Sequence, residues 1–186
     1  MVDLEQLRNE SPDQKKLTIF GNLPYSFSSD ITQLLLTFYA DIERVVIMLQ
    51  KEFSERLAAV PGTKAYGALT VYTQVLADCV LGPIIEGDQF YPSAKVQSQV
   101  IELRFYDQPK YGIKDDYIFK SLVKNLFSER RKKIRNTFTR HYGDKITNPE
   151  EFLKKHGFNP ALRSDQIAVE DYVKLANLVA DDIKLS

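Results

Sequence analysis

Leu17-Thr18-Ile19-Phe20 is a short β-prone run that stops on Gly21, and a helical pattern begins soon after it. A strand that feeds a helix through a short loop is the unit from which parallel sheets are built. This feature therefore confines the chain to α/β folds more tightly than any other. The run reads as a buried parallel strand. Ser28 or Ser29 is placed to cap the helix, with Asp30 in its first turn. Ile31, Leu34, Leu35 and Phe38 then recur at helical spacing to about Tyr39. Between strand and helix lies Gly21-Asn22-Leu23-Pro24-Tyr25-Ser26, at the carboxyl end of the strand, where open α/β sheets bind their ligands.

The loop has a definite chemistry. Asn22 offers an amide oxygen that accepts from an amino group. Pro24 fixes the backbone, keeps Leu23 out of the helical region and has no N–H of its own, so nearby carbonyls can face a ligand. Tyr25 offers a flat ring. Acceptors and a ring suit a planar base with an exocyclic amine; a proline turn over a buried tyrosine is the plainer alternative.

Net charge says nothing about partners, because 25 basic residues balance 25 acidic ones. Their distribution is more telling. From Lys110 to Lys145 there are 11 basic and 4 acidic residues, against 6 and 9 in the first 60. A segregated basic stretch in a neutral chain suggests an anionic partner on one face. The single Cys79 allows no internal disulfide and reads as a small buried hydrophobe, which suits a reducing compartment. Met1 to Lys16 is polar, unlike a secretory leader, and no apolar run is long enough to span a bilayer. The expectation is a cytosolic or organellar-matrix protein, without a membrane partner.

Taken in order, Ser11-Pro12-Asp13 reads as a turn and Arg44 to Leu49 as a second buried strand. Lys51 to Ala59 reads as a helix, Pro61-Gly62-Thr63-Lys64 as a loop, and Ala68 to Ala77 as a helix in preference to a strand. Cys79 to Ile85, broken by Gly82-Pro83, is a third strand. A fourth alternates Val96, Ser98, Val100 and Leu103 against Gln97, Gln99 and Glu102. Asp107-Gln108-Pro109 breaks that pattern, placing a boundary between residues 1–107 and 108–186. Beyond it the patterns are helical. They comprise Tyr117 to Phe127, a strongly basic helix carrying Arg130 to Asn136, a helix opened by Asn148 and Pro149 and ended by Gly157, and Val169 to Ile183. His141 and His156 lack the spacing of a metal site or a catalytic dyad, so no metal is expected. Glu52 and Glu55 read as surface or salt-bridged groups rather than an acid site.

Several blocks resemble one family. Asn22-Leu23-Pro24-Tyr25 is similar to the substrate-amine motif of S-adenosylmethionine-dependent adenine methyltransferases. Met48 to Leu57, Lys64 to Val71, Phe90 to Val96, Glu129 to Asn136 and Gly157 to Arg163 each resemble an ordered block of the ribosomal RNA adenine dimethyltransferases of the KsgA type. The likeness runs from about Leu17 to the C-terminus. It departs from the family where Ser93 and Ala94 stand for two prolines and Gln97 for an aspartate.

The resemblance implies a partial Rossmann-like methyltransferase sheet followed by a small all-α domain that binds RNA. It implies a chain matching the C-terminal two-thirds of such an enzyme, without the Gly-rich cofactor loop. It also implies S-adenosyl-L-methionine as cofactor, with Asn22 against its methionine end, and small-subunit ribosomal RNA as partner. Asn22 and the carbonyl of Leu23 or Pro24 would hold the target amine, Tyr25 and Phe90 would sandwich the base, and Lys95, Arg130, Arg131, Lys132, Lys133 and Arg135 would meet phosphates. Two alternatives stay open at this point: a large-subunit RNA methyltransferase, and a catalytically silent RNA-binding or ribosome-assembly module. Read without the resemblance, the basic stretch is better explained by a solvated helix face.

Overall fold

A computed structural model describes residues 15–185; the expected turn at Ser11-Pro12-Asp13 lies outside them. The chain forms two compact units, one from residues up to 58 together with 72–110, the other from 59–71 together with residues from 111 onward.

The first unit is built on four described strands: β1 (Leu17–Asn22), β2 (Ile42–Gln50), β3 (Ala77–Ile85) and β4 (Ser98–Phe105), in the order β1-β2-β4-β3. A turn of 3-10 helix (Tyr25–Phe27) and helix α1 (Ser28–Thr37) carry β1 over to β2, which runs parallel to it. β4 lies antiparallel between β2 and β3. Helix α2 (Lys51–Leu57) packs on β2, β3 and β4, and α3 (Ala68–Leu76) leads into β3. Val45, Leu49, Ile101 and Leu103 are wholly buried, each worth about 1.5–3 kcal/mol of hydrophobic stabilisation.

Three details differ from expectation. β1 is parallel but not buried: it is an edge of the described sheet, its residues alternate between half-buried and exposed, and Phe20 is 70% exposed. Neither Ser28 nor Ser29 caps α1. Pro24 (φ −59°, ψ 129°) starts the 3-10 turn early, so Ser28 is already helical and its Oγ donates to the Tyr25 carbonyl at 3.0 Å. β4 buries Ser98 and Leu103 as expected, but the middle of the pattern is inverted, with Gln99 inward and Val100 outward. Gln99, Ile101, Leu103 and Phe105 face the core, while Val100 and Glu102 are half-exposed. Gln99 can be buried because its Nε2 donates to the Gly82 carbonyl at 3.1 Å. Gly82-Pro83 is where β3 slips register against β4, and a Cβ on Gly82 would lie 3.2 Å from the Val100 carbonyl oxygen. Cys79, on β3, is only partly buried; desolvation and the neighbouring Asp78 carboxylate push its thiol up to about 12.

The second unit contains α4 (Asp116–Ser128), α5 (Ile134–Tyr142), α6 (Pro149–Lys155) and α7 (Val169–Leu185). Asp115 caps α4, accepting from the Ile118 N–H at 3.0 Å, and Phe119, Leu122, Val123 and Leu126 form its buried stripe. Segment 59–71 is part of this core. Tyr66 is wholly buried, its hydroxyl donates to the Ile167 carbonyl at 2.9 Å, and its ring lies 6.1 Å from that of Phe127, which stacks on Tyr172. Asn148 precedes Pro149 at the start of α6 in a left-handed conformation (φ 52°), but its side chain makes no capping bond. Gly157 (φ 84°) follows the end of that helix.

The expected basic helix is interrupted. Residues 129–133 form a turn, and α5 begins only at Ile134. Pairing with a distant segment sets that start: Lys133 bridges Arg163, the Ile134 N–H donates to the Leu162 carbonyl at 2.7 Å and the Arg135 N–H to the Pro160 carbonyl at 3.2 Å.

Candidate active site

Asn22 is the last residue of β1, paired with Met48 of β2. Strand alternation turns its side chain outward, where it is exposed and its carboxamide bonds to no other described residue. The two carbonyls that follow differ. Pro24's accepts the Phe27 N–H at 3.0 Å, which closes the 3-10 turn, whereas Leu23's accepts no hydrogen bond from the described residues. The Leu23 N–H reaches the Met48 carbonyl at 3.5 Å, extending the β1–β2 pairing by one residue. The loop thus presents two unused acceptors in adjacent residues, Asn22 Oδ1 and the Leu23 carbonyl oxygen.

Tyr25 is half-buried and held at both ends. Its carbonyl accepts from the N–H and the Oγ of Ser28. Its hydroxyl shares a 2.5 Å hydrogen bond with Ser98 Oγ, across 73 residues of sequence. Ser98 is wholly buried at the start of β4, between Gln50 and Ile85.

Phe90 lies on the connection between β3 and β4, which closes upon Gly87. The Gly87 carbonyl accepts the Ala94 N–H at 2.8 Å, Ser93 Oγ at 3.1 Å and the Phe90 N–H at 3.4 Å. A Cβ on Gly87 would sit 2.1 Å from the Ala94 carbonyl oxygen, so no other residue fits without moving the loop. The loop includes a cis Tyr91–Pro92 bond. Gln97 ties down its far end: its Nε2 donates to Glu86 at 2.7 Å, while Lys51 donates to its side-chain oxygen and to its carbonyl, both at 3.0 Å. Phe90 is half-buried, and neither it nor Tyr25 packs against another described aromatic ring. Lys95 is exposed and forms no ion pair among the described residues.

The basic residues fall into two kinds. Arg130 is built into the second unit: Nε and Nη2 donate to Asp165 Oδ2 at 3.3 Å, and Nη2 to the Thr63 carbonyl at 3.0 Å. Arg131, Lys132 and Lys133 on the turn and Arg135 on the first turn of α5 are exposed, with no ion pair among the described residues. Elsewhere, His156 packs on the Phe152 ring at 4.6 Å, and no described group of three or more His, Cys, Asp or Glu residues could hold a metal ion. Glu52 lies 3.9 Å from Arg56 and Glu55 lies 4.0 Å from Lys51, as surface ion pairs. No described helix is long and apolar enough to cross a membrane.

Sequence reasoning placed Ser98 and Gln97 only in the alternation of β4, with Gln97 also a departure from a motif, and gave neither a part in the site. Neither has a local signal, since the bonds that matter are to Tyr25 and to Glu86 and Lys51.

A family described as "Ribosomal RNA adenine dimethylase" matches residues 3–181. Among similar curated proteins, "Ribosomal RNA small subunit methyltransferase A" of Shewanella sp. (strain MR-7) is 41% identical over 169 residues, covering 90% of this chain and 60% of that protein. The protein of the same name from Vibrio atlanticus (strain LGP32) is 38% identical over 181 residues, covering 96% and 63%. The chain therefore spans about 60% of the length of these relatives. Two solved structures share the fold. A dimethyladenosine transferase from Plasmodium falciparum has a TM-score of 0.77 at 21% identity, over 90% of this chain and 69% of that one. The 23S rRNA methyltransferase ErmE has a TM-score of 0.65 at 22% identity, over 94% and 69%. The sheet of the first unit is thus Rossmann-like.

Proposed function

The chain belongs to the ribosomal RNA adenine dimethylase family, and from that premise we propose that it carries the base-holding and RNA-holding parts of an rRNA adenine N6,N6-dimethyltransferase. The substrate is a pair of adjacent adenines near the 3′ end of small-subunit ribosomal RNA, reached in the cytoplasm on the assembling subunit. Residues 1–107, apart from the excursion at 59–71, serve methyl transfer, and 108–186 serve RNA binding. The observation that carries this reading is the pair of unused acceptors, Asn22 Oδ1 and the Leu23 carbonyl, beside the tethered ring of Tyr25.

An exocyclic adenine nitrogen is a poor nucleophile because its lone pair is delocalised into the ring. Two acceptors fixed on adjacent residues draw its two hydrogens towards them and return electron density to nitrogen. Pro24 restrains the backbone that carries the Leu23 carbonyl, so that acceptor is set before the base arrives, and the free Asn22 carboxamide turns to complete the pair. The donor set also suits a cationic cofactor: an exposed neutral carboxamide at a strand's carboxyl end can accept from the ammonium of a methionine moiety. S-adenosyl-L-methionine, when bound, supplies an activated methyl group. Asn22 is the residue of this chain that would hold its methionine end.

The base must leave its stack to enter. Tyr25 and Phe90 receive it, each ring contributing ~1–3 kcal/mol of stacking. Lys95, Arg131, Lys132, Lys133 and Arg135 hold phosphates, which positions the RNA without reading its sequence. Arg130, already bonded to Asp165 and Thr63, acts by holding the basic turn in shape.

The test joins this chain to the remaining segment of a curated relative and follows labelled methyl transfer to unmethylated small-subunit RNA. Asn22→Ala should lower turnover about a hundredfold or more with RNA affinity unchanged. Turnover equal to that of the parent would remove Asn22 from the site and the reading with it.

A further inference from the structure

We propose that Ser98 is a positioning residue for the base, acting through Tyr25; this rests on the reading of the pocket given above. Tyr25 opens a three-residue turn that contains no buried residue, so packing alone does not fix its ring. Its backbone end is held by Ser28, which is 4% exposed. Its far end is held by Ser98, at a distance near the short limit for O–H···O bonds. Ser98 is itself immobile: it is wholly buried and paired with strands on both sides, Gln50 of β2 and Ile85 of β3. The hydroxyl bond therefore references the ring to the middle of the sheet and not to the loop that carries it.

The residue before it extends the argument. Gln97 fixes the Phe90 loop through Glu86 and Lys51, while Ser98 fixes Tyr25. Two consecutive residues at the entry to β4 thus set both rings proposed to flank the base. A small hydroxyl at this position has a role that its burial alone does not account for. Replaced by alanine, it would leave Tyr25 free to turn about its side-chain bonds, and the stacking face would no longer be presented in one orientation.

The experiment uses the 186-residue chain and an RNA oligonucleotide with 2-aminopurine in place of the target adenine, whose fluorescence is quenched on stacking. Ser98→Ala and Tyr25→Phe should each weaken the quenching interaction by about fivefold, the scale of a single hydrogen bond. The double variant should be no weaker than either single one, since both remove the same bond. Tyr25→Ala, which removes the ring, should abolish the quenching. Urea midpoints of the same variants provide the second measurement, and the two losses in stability should likewise fail to add. Quenching by Ser98→Ala equal to that of the parent, or a double variant weaker by the product of the singles, would overturn the role of Ser98 alone. A parent chain that leaves the probe unquenched at saturation would overturn the pocket itself, and Ser98's part in it. Should Ser98→Ala fail to fold, Tyr25→Phe reads the same bond from the other side, and an unchanged affinity there overturns the proposal.

Discussion

Arg130 and Arg131 share a charge and a peptide bond but have different surroundings. Arg130 binds Asp165 and the Thr63 carbonyl, whereas Arg131 is exposed and forms no ion pair among the described residues. Arg130→Ala should therefore cost about 1–2 kcal/mol of stability, measured by urea unfolding, because it leaves a half-buried carboxylate without its partner. Arg131→Ala should stay within about 0.5 kcal/mol yet lower the slope of log affinity against log salt by about one for ribosomal RNA. Equal effects of the two substitutions on both measurements would show that the distinction is not real. A sequence shows five cations in six positions; it does not show that Asp165, 35 residues away, has already engaged one of them.

At the scale of elements, what was legible depended on how local the cause is. β2 announces itself by an uninterrupted apolar run, α4 by its stripe of Phe119, Leu122, Val123 and Leu126, and the Asn22–Tyr25 loop by Pro24 between a strand and a helix. β4 was misread at Gln99 and Val100, because Gln99 looks polar and is buried by a bond to Gly82, which belongs to another strand. The basic stretch was read as helix because nothing within it forbids one; the backbone bonds to residues 160–163 are what hold it as a turn. Half of the candidate site was visible for the same reason. The acceptor loop is contiguous, and its anchor at Ser98 is not. The β3–β4 connection shows how far such a loop depends on one position. Gly87→Ala should displace the Ala94 peptide, costing about 1–3 kcal/mol and weakening 2-aminopurine quenching by way of Phe90. Circular dichroism should show the sheet unchanged. A Gly87→Ala variant that quenches like the parent would mean that the loop's closure does not position Phe90.

At the scale of the whole molecule, the chain enters the second unit at residue 59, returns to the first at 72 and leaves it finally at 111. Nothing in the local pattern of Pro61-Gly62-Thr63-Lys64 reveals this, because its cause is distant: the Gly62 N–H donates to the Asp165 carbonyl at 2.6 Å, and Tyr66 lies against Phe127 of α4 and donates to the Ile167 carbonyl. A fragment starting at residue 108 should accordingly fail to melt cooperatively and should bind a hydrophobic dye. In the intact chain Tyr66→Ala should cost about 3–5 kcal/mol, as expected for emptying a large aromatic site. A cooperative transition from the fragment alone would show that Tyr66 is dispensable to this core. The double passage also constrains how such chains can be recombined. Grafting the helical half of one relative onto the sheet of another needs two matched splice points, with the excursion at 59–71 travelling alongside the helices it completes; a chimera joined at a single seam packs one parent's excursion against the other parent's helices.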